Sequence, residues 1–360
     1  MKIVLPLIAA AVVLGFASCA APGTEAEPVA ARSAPAAVTN DLWTFAAAAD
    51  GIHAASCPDG NAPMRGFLPL DVSVTELDAK QTESLAGLAP AGARLAGAWE
   101  LTSGDPNFGG LSGLAVEDSN TLLAVTDAGG WVRIGTSGGA PAAATIGYMR
   151  GAEGQFLSGK SENDAEGLAV RDGIAFVSFE RDFRIEAFAV GSCGAGAKAV
   201  EISALPATFE GRAIDTNEGP EALVLTPDGH LKAGFEGAST SGSPISRVLA
   251  SGASDWTGQL ADNPKGFALV GLDAVRLADG TTRNIQLYRA FDPLRGARSV
   301  LVWGAGANQR LTLSRPVLTD NFEGLAAEVM QTGELRLWIV SDNNFNKVQR
   351  TLLYAFDVTP

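Results

Sequence analysis

The stretch EGLAVRDGIAFVSFE, from Glu166 to Glu180, decides the fold. It holds two short apolar runs joined by Asp172-Gly173, with an acid at each end. Asp-Gly between apolar runs is a strong hairpin signal. The same pattern recurs four more times. The five units begin at Ser112 (SGLAV), Glu166 (EGLAV), Glu221 (EALVL), Asp273 (DAVRL) and Glu323 (EGLAA), at successive intervals of 54, 55, 52 and 50 residues. Their second runs close at Asp127, Glu180, Glu236, Tyr288 and Asp342, which lie 15, 14, 15, 15 and 19 residues after the starts. A repeat of about 50 residues built of short strands reads as an all-β propeller. The continuous apolar runs fit strands packed on both faces between blades.

Two apolar runs lie outside the units, Leu95 to Leu101 (LAGAWEL) and Leu352 to Val358 (LLYAFDV). Propellers close by pairing late and early strands, which removes an open edge. With residues 62–94 these runs are expected to form a sixth, composite blade, so six blades are predicted, with five or seven as alternatives. Residues 72–90 fit either one short helix or a strand and loop.

The bulk numbers narrow the partners. The chain has 360 residues, 46% apolar and 18% charged, enough for one large β domain. Its 26 basic and 40 acidic residues give a net charge of −14. That disfavours nucleic acid as a partner and favours a cation. Only His53 and His230 are present, which argues against histidine-rich metal sites and histidine phosphatase chemistry. Gly110-Leu111-Ser112-Gly113-Leu114 has Leu where a nucleophile elbow needs Gly, and it sits in a β repeat.

The N-terminus reads as a targeting segment. Met1-Lys2 is basic, Ile3 to Ala17 is apolar, and Ala17-Ser18 precede Cys19. This pattern predicts a lipoprotein-type signal over residues 1–18 with Cys19 lipidated. Ordinary cleavage near Ala20-Ala21, giving a soluble product, is the other reading. Residues 19–41 are an Ala/Pro-rich tether, and residues 42–360 the propeller domain. The expected location is the bacterial cell envelope, anchored by lipid and facing the periplasm at the outer membrane, or secreted. A monomer is expected. Cys57 and Cys193 either pair in an oxidising compartment or remain separate thiols.

Several motifs together are similar to one family. They are FGGLSGLAV (108–116), AVTDAG (124–129), DAEGLAV (164–170), VSFERDFRIEAF (177–188), NEGPEAL (217–223), LYRAFDPLRGARSVL (287–301), DNFEGLAA (320–327) and VSDNNFNKVQRTLLYAF (340–356). In order and spacing they resemble the phytase-like family, described as "esterase-like activity of phytase". The resemblance covers roughly residues 95–358. It implies a secreted or envelope β-propeller with a hydrolase-like label; taken with the repeated acids, the expected substrate is a small-molecule ester or phosphate ester. In LYRAFDP the family pattern has Glu where this chain has Tyr288, so the resemblance implies one acid fewer in the inner ring.

The repeated acids converge if the innermost strands line a channel. Crowded carboxylates repel and raise one another's pKa unless a cation joins them. Ca²⁺ suits such oxygen cages best. Asp127, Glu166, Glu180, Glu221, Glu236, Asp273, Glu323 and Asp342 are therefore candidate metal ligands, with Asn163, Asn217, Asn321 and Asn343 beside them. Glu166, Glu323 and Asp342 are the candidate catalytic acids. Arg181, Arg289, Arg295 and Lys347 are candidate substrate-binding cations, each able instead to pair with an acid. The competing readings are a non-catalytic scaffold propeller and a lactonase-like propeller with one Ca²⁺.

Overall fold

The computed structural model describes residues 41–237, 242–306 and 308–360. The signal segment, Cys19 and nearly all of the tether lie outside them. Among the described residues no helix is long and apolar enough to cross a membrane.

Five antiparallel sheets stand around one axis. Blade one runs outward through Leu111–Asp118, Thr121–Thr126, Gly130–Ser137 and Ala140–Tyr148, with Leu68–Leu70 on its outer edge. Blade two is Ala165–Arg171, Ile174–Phe179, Arg184–Phe188 and Val200–Ala204. Blade three is Ala222–Leu225, Leu231–Gly234, Pro244–Val248 and Ser254–Leu260. Blade four is Ala268–Arg276, Thr282–Asp292, Gly296–Val302 and Arg310–Leu313. Blade five joins Asn321–Val329, Leu335–Asp342 and Thr351–Val358 to Ala93–Ser103 and Val72–Glu76. The innermost strands touch in a closed cycle, one to two, two to three, and on round from five to one.

The count is five, not six. The two outlying runs do pair, with Tyr354 opposite Ala98 and Leu353 opposite Trp99. But Thr351–Val358 also pairs with Leu335–Asp342, so the closing strands complete blade five instead of making another. Five buried apolar clusters fill the five gaps between blades. Residues 72–90 divide into the strand Val72–Glu76 and the helix Ala79–Ala86, which is capped by Asp78 accepting from the Gln81 N–H at 2.9 Å.

The hairpin in Glu166–Glu180 forms as its sequence dictates. Asp172 and Gly173 have φ of 50° and 75°, the paired left-handed values of a tight two-residue turn. A Phe45–Ser56 helix seals the gap between blades two and three with Phe45 and Ile52. Cys57, at its end, is disulfide-bonded to Cys193 across a Cα–Cα distance of 5.7 Å.

Two features place the repeated acids. First, the inner strands carry β-bulges between Leu111 and Gly113, Ala165 and Leu168, Leu269 and Gly271, and Phe322 and Gly324. A bulge re-aims the side chain that it carries. The bulges sit at Ser112, Glu166, Val270 and Glu323. Second, the glycine that follows lets neighbouring inner strands close in. A Cβ at Gly113 would stand 2.3 Å from the Glu166 carbonyl oxygen, and one at Gly167 2.6 Å from the Leu223 nitrogen. The channel behind the acids narrows to a cavity of about 10 Å³, room for about one water.

Candidate functional site

The starts of the inner strands bring Glu166, Glu221 and Glu323 to one mouth, all buried, with Ser112 completing that side. Blade four contributes Val270 at the matching position, not Asp273. Asp273 lies three residues further along its strand and at the other end of the channel, among Val116, Val170, Leu225 and Ala327. Its two oxygens accept from the Ala274 and Ala327 N–H groups, each at 2.7 Å. Asp273 therefore ties blade four to blade five and leaves the acid ring. The Asp at the head of DAVRL imitated the repeat, but the bulge and Gly271 set the true register.

The ends of the second strands form an outer tier above this mouth. Asp127, Glu180 and Glu236 donate their backbone N–H to Gly110, Asp164 and Gly219. Asp342 pairs with Asn321, and in blade four the matching pair is Arg289 with Ala268. The tier position in blade four thus belongs to Arg289, not Tyr288. Tyr288 turns into the core between blades three and four, where its hydroxyl has no hydrogen-bond partner among the described residues. The missing acid is replaced by a cation.

Arg289 holds its side of the ring. Its Nε and Nη2 donate to Glu236 at 3.1 and 2.9 Å, and its Nη1 donates to Asn321 Oδ1 at 3.1 Å and to Glu323. Glu221 lies 3.8 Å away. Burial alone would lower the Arg289 pKa, but Glu323, Glu221 and Glu236 outweigh it and keep the guanidinium charged. Asn321 donates to Glu323 at 2.8 Å.

The opposite side is short of cations. Carboxylate oxygens of Asp164, Glu166 and Glu180 lie within 4.8 Å of one another, and all three residues are buried. Asp164 accepts from Arg181 Nε at 2.7 Å and from Lys160 Nζ at 3.3 Å. Lys160 also reaches Asp127 at 3.4 Å, while Asp127 Oδ1 is buried without a partner. Glu166 is only 7% exposed, and neither it nor Glu180 has a side-chain hydrogen bond in the described structure. Burial, then Glu221, Glu323, Glu180 and Asp164, hold the Glu166 carboxyl well above the usual range. Burial does the same to Glu221 despite Arg289. Glu180 is pushed up to about 7 by burial and Asp164. Burial raises Glu323 to about 8 against the pull of Arg289, and Asp342 to about 6 against a hydrogen bond from the Asn344 N–H.

The neighbouring amides have structural work. Asn217 Oδ1 accepts from Arg181 at 2.7 Å, Asn343 Oδ1 accepts from the Gly110 N–H at 3.1 Å, and Asn163 donates to the Ala128 carbonyl at 3.2 Å. Arg295 and Lys347 are exposed in turns, and neither forms an ion pair with a ring acid among the described residues. Asp164 and Lys160 were missed by the sequence reading. Asp164 had a signal, an acid two positions before Glu166, the spacing that returns to one face of a strand. Lys160 had a weaker one, four residues before Asp164.

The model of the family "Phytase-like: Esterase-like activity of phytase" matches residues 106–345, two thirds of the chain. The chain belongs to the phytase-like family. No curated protein matches it. Among solved structures, this phytase-like propeller is similar to the PQQ-bound aldose sugar dehydrogenase of Streptomyces coelicolor, at 14% identity and a TM-score of 0.38, covering 81% of this chain and 99% of that one. An endo-arabinase of Bacteroides thetaiotaomicron VPI-5482 matches at 11% identity and a TM-score of 0.42, over 69% and 94%. A gluconolactonase of Xanthomonas campestris matches at 12% identity and a TM-score of 0.39, over 80% and 97%.

Proposed function

We propose that this phytase-like protein is a cell-envelope hydrolase that cleaves a phosphate ester or another ester at the acid mouth, dependent on Ca²⁺. The observation that carries this reading is the cluster of Asp164, Glu166 and Glu180, three buried carboxylates within 4.8 Å of one another. The donor set is all oxygen, which suits a hard cation, and the Glu166 carboxyl has no hydrogen-bond partner among the described residues. The residues present therefore fit the ion, and these three would hold it. When bound, Ca²⁺ supplies polarisation of a substrate oxygen.

The remaining chemistry falls to the chain's own groups. Glu323, raised to about 8, is the better proton donor of the two, and Asp342, raised to about 6, the better acceptor. Neighbouring carboxyls separated in this way divide the acid and base roles. Asp342 takes a proton from water, whose oxygen joins phosphorus or the acyl carbon. The ester bond breaks, and the leaving oxygen takes its proton from Glu323. The charged Arg289 keeps Glu323 in place. The envelope location rests on the leader and Cys19.

The test is turnover of phosphate and aryl esters in Ca²⁺. Glu166→Gln and Glu323→Gln should each lower kcat by about 10²–10⁴-fold with the fold intact. Unchanged turnover in both would defeat this assignment. One observation favours the scaffold reading instead. Arg289 links acids of blades three and five from blade four, so part of the ring also locks the propeller.

A further inference from the structure

Beside the acid ring, between blades three, four and five, lies a pocket of about 530 Å³. Glu236, Arg289 and Asn321 form the wall that it shares with the ring, and Phe267, Ala290 and Phe291 form its apolar side. Its size falls within the range of small-molecule sites. Phe291 is 75% exposed and Leu294, on the same hairpin, 89%. The hairpin is held by Asp292, which accepts from the Leu294 and Arg295 N–H groups at 2.8 and 2.9 Å. Arg298 lies over the Phe267 ring at 5.1 Å and steadies the other aromatic. An exposed aromatic at the lip of a charged site is unlike a single surface residue, because it continues a pocket wall.

The ring offers little to a polyanion. Eight carboxylates gather there: Asp127, Asp164, Glu166, Glu180, Glu221, Glu236, Glu323 and Asp342. The cations among them, Lys160, Arg181 and Arg289, are all paired with ring acids. All three Arg289 nitrogens already donate to Glu236, Asn321 or Glu323. A bisphosphate or a more highly charged ester would find no unpaired side-chain cation among these groups, only the one divalent ion.

We infer that the substrate is an ester carrying at most one negative charge, with an apolar arm that lies in the pocket walled by Phe267 and Phe291. The inference rests on the hydrolase reading of the mouth and names its substrate class. The reactive group faces the ring, where Arg289 and Asn321 border both sites. The hairpin at Phe291 then sets specificity by the length of the arm.

The experiment is calorimetric titration of the calcium-loaded protein with methyl, butyl and hexyl monoesters of methylphosphonic acid, which carry one charge each, and with fructose 1,6-bisphosphate. Affinity should rise along the series by up to roughly fourfold per buried CH₂, and the bisphosphate should bind more weakly than the hexyl ester. Phe291→Ala, a change at an exposed position, should flatten the series. A flat series in the unmodified protein, a series unchanged by Phe291→Ala, or tighter binding of the bisphosphate would overturn the inference. The reading of the mouth fails by a different result, unchanged turnover in Glu166→Gln and Glu323→Gln, so the two failures are separable.

Discussion

The two ends of the channel treat a buried acid in opposite ways. At one end Asp273 is lifted to about 6 by burial, yet two backbone N–H groups satisfy it and oppose the shift. At the other, Glu166 is buried beside four more acids, with no hydrogen bond among the described residues to hold its charge. One carboxylate is a joint between blades; the other belongs to a buried cluster of three acids with the spacing to hold a metal ion. An acid at a strand end is therefore not evidence of a site until its partners have been counted.

The sharpest way to break this contrast is Arg289→Ala. It leaves Glu221, Glu236 and Glu323 without their shared counter-charge, and breaking such a buried pair costs about 3–5 kcal/mol. Urea unfolding in chelator should show that loss; a loss under 1 kcal/mol would mean that the acids relax by taking up protons.

Calcium gives the next largest effect. At 100 times its Kd a ligand of the native state adds about 2.7 kcal/mol, which should raise Tm by several degrees. Glu166→Gln, which mimics the protonated acid, should keep the Tm measured in chelator and lose most of the calcium increment. If the increment persists, the ion sits elsewhere. At the far end, Asp273→Asn should cost about 1–3 kcal/mol, because one backbone N–H loses its acceptor. That cost should be the same with calcium and with chelator.

The pH dependence sharpens the contrast further. Glu180 and Glu323 are raised to about 7 and about 8, above the 4.5 of an ordinary glutamate, so between those limits the folded chain binds more protons than the unfolded one. Stability in chelator should then fall as pH rises from about 5 to about 8. Calcium binds the ionised form, so its increment should grow over the same interval. A Tm in chelator that is level across this range would contradict the raised values.

Most of the fold was legible because a small residue before Leu, Gly in four repeats and Ala222 in blade three, lets the inner strands meet, as Gly113 and Gly167 do. The blade count was not, because no pattern in LAGAWEL or LLYAFDV says which sheet they join. The Phe45–Ser56 helix was also missed, although its Ala-rich run favours a helix. Within the site, Glu166, Glu221 and Glu323 could be read from the repeat. Val270 had a signal too, the Gly271-Leu272 that follows it as in the other repeats, but Asp273 three residues later offered a false match that placed an acid at the start. Arg289 was read as a substrate-binding cation, but its place in the tier depends on the register between blade four's first two strands.

Blade five also fixes an order of events. Its third strand, Thr351–Val358, is inserted between Leu335–Asp342 and Ala93–Ser103, the latter made some 250 residues earlier. A partial chain that lacks this strand cannot complete blade five. Until then two sheet edges stay bare, and bare edges invite pairing with other chains. The acid mouth spans all five blades, and blade five reaches its full width only when this last strand is seated between its two neighbours.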